Sequence, residues 1–213
     1  MFNSRFARHS FTMQAPSCEA AQWAALLIQS RRTTLPKRLC GPGPNAEQKA
    51  RILEAAAAAP DHDQLLPWRL IEVPEPRRAS LGEAFVISLL ERDPQADTQA
   101  CAQAREKAFR SPWLLLVVVR TSDDNFDIPA AERILSAGAA IQNMLLLTTA
   151  YGLGSALTSG KALQSRALRE LFDLQAGEQA LCFINMGHIS EARKPRPRPE
   201  VARYFSTWEA TRG

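Results

Sequence analysis

The segment from Trp113 to Arg120 (WLLLVVVR) is apolar at every position except the last. A strand that buries only one face alternates apolar and polar residues, so an unbroken apolar run is typical of a strand covered on both faces. The run is also far shorter than the roughly 20 residues that a membrane helix needs. The segment therefore predicts the central strand of a sheet with both faces covered, in a protein without a membrane-spanning helix.

Helices and strands alternate along the rest of the chain. Apolar residues at helical spacing predict helices at Glu19–Gln29, from the N-cap Asn45 to Pro60, and at Arg77–Glu91, Gln95–Arg110, Pro129–Tyr151 and Gln164–Phe172. Further strands are predicted at Trp68–Val73, within the glycine-rich GLGSALTSGK segment and at Ala180–Ile189. Two consecutive helices between the first two strands fit poorly with a doubly wound nucleotide-binding fold. The order predicts an α+β sandwich, with the long apolar helix after Pro129 buried in the core or in a subunit interface.

The composition indicates one domain without a polyanionic partner. The 213 residues are 46% hydrophobic, which suits a single core, and we assign residues 1–20 to an N-terminal extension and 21–213 to the domain. A net charge of +4 is too small to indicate nucleic-acid binding. The four cysteines are scattered, without a metal-binding spacing, so we expect reduced thiols, no metal and a cytoplasmic location.

Two polar segments are not explained by core packing. The first, SRRTT at Ser30–Thr34, offers two guanidiniums and two hydroxyls where the first helix ends, a set that matches a phosphate dianion. A solvated basic helix end is the alternative. The second, Asp61–Gln64 (DHDQ), leads into the first strand, where loops often carry function. A metal site there is the weaker interpretation, because residues so close in sequence rarely surround one ion.

A third segment, GLGSALTSGK, has glycines that would let backbone N–H groups approach a ligand. It is not a Walker A loop, because five residues separate Gly154 from Gly160 and Ala162 follows Lys161. The three histidines lie far apart in the sequence and no serine sits in a nucleophile elbow, so no catalytic triad can be assembled. The chain offers binding groups without an acid, base or nucleophile, as expected when a redox cofactor supplies the chemistry.

Five features in their order along the chain resemble the FMN-dependent nitroreductase family, and in particular its small bacterial NAD(P)H nitroreductases. They are SRRTT, APDHxxxxPW, the buried long helix, GLGSALTSGK and the basic tail after MGHI. The resemblance runs from about Trp23 to Pro199. It implies a three-layer α-β-α sandwich with a mainly antiparallel central sheet, in an intertwined homodimer that shares each FMN between two subunits. The helix through Ile134–Leu147 would form much of the dimer core.

The resemblance also implies which residues bind FMN. They are Arg31, Arg32 and Thr33 with Arg193 and Lys194 at the phosphate, His62, Gln64 and Leu66 at the flavin ring, and Thr158, Ser159 and Gly160 near the reactive N5 edge. No side chain is expected to be catalytic, because FMN carries the hydride chemistry. NADH or NADPH would reduce FMN at N5, and a nitroaromatic, quinone or similar small acceptor would then be reduced in the same slot, in a ping-pong cycle.

Two leucines depart from the family pattern. Leu66 stands where many relatives have a polar residue before Pro-Trp, which leaves open an alternative function in FMN storage or sensing without efficient turnover. Leu35 stands near a position that is often basic or polar, so Lys37 or Arg38 would have to substitute at the phosphate. Nucleic-acid binding through the RKPRPRP tail is disfavoured, because no aromatic residues interleave its basic ones.

Overall fold

The computed structural model describes residues 18–122, 127–191 and 197–208. Within these residues the sheet has five strands, β1 Leu39–Cys40, β2 Trp68–Glu72, β3 Trp113–Arg120, β4 Gly154–Thr158 and β5 Glu178–Ile189. The α-helices are α1 Cys18–Ser30, α2 Ala46–Ala56, α3 Arg78–Arg92, α4 Thr98–Glu106, α5 Ala130–Ala150 and α6 Arg166–Leu171. The predicted helices and strands are therefore present, with ends shifted by a few residues. Residues 1–17 of the predicted N-terminal extension lie outside the described residues.

The strands are antiparallel wherever they pair, in the order β1-β5-β3-β2, with β4 on β5. β3 lies between β2 and β5, with Trp113 opposite Met186. The mainly antiparallel sheet is thus confirmed. The short strand β1 was not predicted, because two residues are too few to show a periodic pattern.

Alternate residues of β3 point to opposite faces of the sheet, and both faces are covered. One core joins Leu115, Val117 and Val119 to residues of α2 and α5. The other core joins Leu114, Leu116 and Val118 to residues of α3 and α6. Every β3 residue from Trp113 to Val119 is at most 3% exposed. The central strand and the three-layer sandwich are therefore confirmed.

A buried arginine joins the α3–α4 layer to the sheet. The Arg78 guanidinium donates hydrogen bonds to the carbonyl oxygens of Val73, at 2.7 Å, and Ala108, at 2.8 Å. Val73 follows β2 and Ala108 follows α4, so one side chain fixes the helical pair relative to the strand edge. Burial lowers the pKa of Arg78, because the charged form is disfavoured in the core.

The longest helix, α5, is buried on one side only within a single chain. Ala137 and Met144 are fully buried against the sheet, whereas Leu135 is 72% exposed and Gly138 is also exposed. The sequence pattern predicts burial on most sides, so one chain leaves part of this apolar helix uncovered. Neither α5 nor any other described helix combines the length and apolar character needed to cross a membrane.

Candidate functional site

Arginine side chains gather where α1 ends. The chain leaves the helix at Ser30 and continues through Arg31 and Arg32. Arg198, from the tail, donates a hydrogen bond through Nη2 to the Arg31 carbonyl oxygen at 2.8 Å. Arg32 folds back on the helix end and donates to the carbonyl oxygens of Gln29 and Arg31. We call Arg31, Arg32 and Arg198 the arginine cluster.

No carboxylate from the described residues forms an ion pair with the arginine cluster. Burial, followed by the charges of Arg198 and Arg32, lowers the pKa of Arg31. Like charges held this close are unfavourable until an anion joins them. A phosphate dianion would supply the missing counter-charge and accept several forked hydrogen bonds. The cluster therefore fits the phosphate of a cofactor such as FMN.

Thr33 lies beside β4, at the edge of the sheet. It forms a parallel bridge with Ser155, and the Thr34 N–H donates to the Ser155 carbonyl oxygen at 2.8 Å. Gly154 permits this approach, because a Cβ there would lie 3.0 Å from Thr34 Oγ1 and 2.8 Å from a methyl of Leu39. Ser155 precedes Thr158 by three residues in β4, so Thr33 lies about 10 Å from Thr158.

A cavity of about 580 Å³ lies at the end of β4. Its lining includes the predicted Thr158, Ser159 and Gly160, and residues of α3 and α4. Gly160 has an extended backbone with φ −163°, and a Cβ there would meet no atom within 4 Å. The fold of the single chain does not itself require glycine at this position. The missing side chain leaves space that a ligand can fill.

Asn185 brings an amide into the otherwise apolar centre of β5. It is 3% exposed, and its Nδ2 donates to Thr158 Oγ1 at 3.0 Å. The amide therefore holds the Thr158 hydroxyl at the cavity wall. Asn185 was not among the predicted site residues, although a lone amide within the apolar run LCFINM is a usable signal, because buried polar groups need partners.

The loop before Pro67 has an unusual backbone. Asp63, Gln64 and Leu66 have φ angles of 54°, 54° and 46°. The left-handed region is uncommon for residues other than glycine, and such residues cluster at functional sites. The Asp61 carboxylate braces the loop by accepting the Leu66 N–H at 2.6 Å. We call Asp61–Leu66 the braced loop.

His62 attaches the braced loop to the first turn of α5. Its Nδ1 lies 2.8 Å from Glu132 Oε2. This hydrogen bond, together with the charge of Asp63, raises the pKa of His62, so the ring stays protonated to a higher pH than an ordinary histidine. The described residues contain no group of three or more His, Cys, Asp or Glu side chains that could hold a metal ion.

The predicted site residues form two separate groups within one chain. Arg31, Arg32 and Thr33 lie beside the start of β4, and Thr158, Ser159 and Gly160 lie at and just beyond its other end, about 10 Å away. His62, Gln64 and Leu66 lie instead at the start of α5, whereas β4 follows its end. The rise from Glu132 to Ala150 is about 27 Å. A single chain therefore does not bring the braced loop to the arginine cluster.

The contact of Arg198 with the end of α1 was not predicted from the sequence. The predicted pair Arg193 and Lys194 lies outside the described residues. The tail RKPRPRP shows several basic residues, but nothing in its spacing indicates which of them reaches the end of α1. Arg38, a predicted substitute at the phosphate, instead forms an ion pair with Glu191 at 3.0 Å, so its charge is already paired.

The chain is similar to known proteins of one family. The model of the nitroreductase family matches residues 28–188. A Haemophilus influenzae protein described as a candidate NAD(P)H nitroreductase is 31% identical over 185 residues, which cover 87% of this chain and 98% of that protein.

Solved structures share the fold. A nitroreductase-like family protein from Bacillus cereus has a TM-score of 0.75 at 20% identity, covering 87% of this chain and 96% of that one. A nitroreductase from Bacteroides fragilis, solved with bound FMN, has a TM-score of 0.65 at 17% identity, covering 87% of this chain and 98% of that one. With the family model matching most of its length, this chain belongs to the nitroreductase family of oxidoreductases.

Proposed function

We propose that this protein is an FMN-dependent oxidoreductase that uses NADH or NADPH to reduce a nitroaromatic, a quinone or a similar small acceptor in a ping-pong cycle. The supporting observation is the arginine cluster next to Thr33. Thr33 lies about 10 Å along β4 from Thr158 in the cavity wall. The cluster suits the FMN phosphate, and the open backbone at Gly160 leaves room for the flavin ring. The ribityl chain can span the distance between them.

Bound FMN would supply two-electron hydride chemistry at N5. The residues of the chain hold and orient the reactants: the arginine cluster and Thr33 bind the phosphate, and Thr158 to Gly160 face the ring. For a nitroaromatic, NAD(P)H and one proton give NAD(P)⁺, the nitroso product and water. Because donor and acceptor use one cavity, the first product leaves before the second substrate enters.

A second copy of the chain would complete each site. The braced loop and the arginine cluster lie at opposite ends of α5. Two α5 helices that cross antiparallel about a twofold axis place the loop of one subunit near the cluster of the other. We therefore propose a homodimer with two composite FMN sites.

Exposed apolar side chains support this dimer. α1 has no buried residue and exposes Trp23 and Leu26, and the tail exposes Trp208 at 93%. Leu135 of α5 is similarly exposed. Exposed apolar surface of this extent marks interaction sites. A partner subunit would cover α1, the outer side of α5 and the tail. The four free cysteines accord with a cytoplasmic, reducing location.

Purified protein provides the test. We expect a yellow dimer that releases one FMN per chain on denaturation. Without oxygen, NADH or NADPH should bleach the flavin absorbance, and a nitroaromatic or quinone should restore it. A colourless protein that takes up no added FMN would refute the proposal. Tight FMN binding without bleaching by either nucleotide would favour the alternative function, storage or sensing.

Replacing Leu66 with Asn should stabilise the protein. The left-handed backbone at Leu66 costs roughly 1–2 kcal/mol for most residues, and Asn tolerates it better. The Leu66 side chain is 61% exposed, so the substitution removes no core packing in the single chain. We expect Tm to rise by about 2–4 °C for each kcal/mol gained, measured by scanning calorimetry.

Leu65 provides the matched control, because its φ is −61° and Asn gains nothing there. Leu65→Asn should leave Tm unchanged or lower it. An equal rise in both variants would show that polarity, and not the left-handed backbone, is responsible. The L66N variant should also bind FMN more tightly, because it restores a polar side chain before Pro-Trp.

A further inference from the structure

The cavity beside Gly160 carries charge of one sign. Its lining contains four cationic residues, Arg92, Lys107, Arg110 and Lys161, and no Asp or Glu. They come from α3, from the segment that follows α4 and from the segment that follows β4, so no single helix face accounts for them. A cleft lined by one sign of charge concentrates ligands of the opposite sign.

These cations are available to a ligand. Lys107 and Lys161 are exposed and form no ion pair with the described residues. Arg110 contacts Glu106 only at 3.4 Å, which is longer than a normal hydrogen bond.

The rest of the lining is mostly apolar. Phe85 and Phe183 pack edge to face with ring centroids 5.8 Å apart, and Leu114 and Leu163 also line the cavity. A volume of about 580 Å³ lies within the range of small-molecule sites. Apolar walls with a few convergent polar groups suit a ligand that has an apolar body and one charged group.

We propose that this cavity selects acceptors that carry an anionic group on an aromatic ring, of which aromatic carboxylates are the simplest. The phenylalanines and leucines contact the ring, and the basic residues bind the carboxylate. The redox step rests on the proposed function, whereas the anion site does not. For 4-nitrobenzoate, NAD(P)H and one proton give 4-nitrosobenzoate, NAD(P)⁺ and water.

Non-reducible probes test the anion site without turnover. Benzoate and benzamide share a ring and a similar size but differ in charge. By calorimetric titration of the purified protein, the Kd of benzoate should be at least about 10-fold lower than that of benzamide. The double variant Lys107→Gln/Lys161→Gln should raise the benzoate Kd by about 10-fold and leave the benzamide Kd unchanged.

The matched control also removes two positive charges. Arg51 of α2 and Arg166 of α6 are exposed, pair with carboxylates of their own helices and do not line the cavity. Arg51→Gln/Arg166→Gln should therefore change neither Kd. Equal affinity of the native protein for benzoate and benzamide would overturn the proposal, as would an equal loss of benzoate affinity in the control variant.

Steady-state kinetics identify which molecule the cations of the cavity bind. The ratio of kcat/KM for 4-nitrobenzoate over 4-nitrobenzamide should fall by about 10-fold in the double lysine variant. A raised nucleotide KM with an unchanged ratio would assign the cations to dinucleotide phosphates. A shifted flavin potential with an unchanged ratio would assign them to the cofactor. Either result overturns acceptor selection. Selective benzoate binding by a protein that takes up no FMN would refute the proposed function alone.

Discussion

Arg31→Gln should weaken FMN binding by roughly 10- to 100-fold, because a hydrogen bond to a charged group contributes about 1.5–3 kcal/mol. Arg198→Gln should have a similar effect, although Arg198 lies 167 positions further along the chain. Both side chains belong to the arginine cluster, in which the described residues provide no counter-charge. Quenching of FMN fluorescence on titration with apoprotein measures both dissociation constants.

The same substitution should not destabilise the apoprotein. Burial and the neighbouring guanidiniums lower the pKa of Arg31, so its charged form is disfavoured while no anion is bound. Removing this guanidinium relieves the repulsion, and the apoprotein Tm should stay constant or rise. The rise in Tm on adding FMN should shrink in the same variant, because a weaker ligand stabilises the folded state less.

Two variants separate the phosphate contact from general charge. Arg203→Gln removes a positive charge from the same tail, five residues beyond Arg198, and should leave FMN affinity nearly unchanged. Arg31→Lys keeps the charge but loses the forked donor geometry, so its affinity should lie between those of native protein and Arg31→Gln. If both R31Q and R198Q bind FMN as tightly as the native protein, the phosphate does not bind at this cluster.

The central layers of this fold could be predicted from local patterns. The apolar run of β3 can be buried only between two layers, and both cores of the structure contain it. Helix α2 is similar, because Asn45 and Gln48 form the capping box that their spacing predicts. In these segments the local preference and the tertiary environment agree.

The candidate site was less predictable because its parts meet only through the tertiary fold. Thr33 pairs with β4 where Gly154 leaves space for the neighbouring Thr34 side chain, and no sequence motif expresses such packing. Arg198 is one of several basic residues in a proline-rich tail, and its contact with Arg31 depends on the path of that tail. Sequence order also could not show that the braced loop and the arginine cluster lie at opposite ends of α5.

Gly160→Ala should impair contact with the cofactor without lowering the stability of the fold. A Cβ at Gly160 meets no protein atom within 4 Å, and the backbone with φ −163° is open to any residue. Gly to Ala at a compatible position reduces the entropy of the unfolded chain, so stability should stay constant or rise by up to about 1 kcal/mol. Scanning calorimetry of the apoprotein measures this.

FMN binding and turnover should respond in the opposite direction. If the flavin ring lies against the Gly160 backbone, the added methyl displaces it, and a displacement of about 1 Å can reduce the rate of hydride transfer by roughly 100-fold. Stopped-flow bleaching by NADH or NADPH measures that rate.

Gly41→Ala is the control, because its Cβ also meets open space and Gly41 does not line the cavity. A G160A protein that binds FMN and is reduced at the native rate would show that the ring does not approach this segment. A folded and stable G160A protein with slow flavin reduction would instead place the reactive edge of the cofactor at the end of β4, beside the basic cavity.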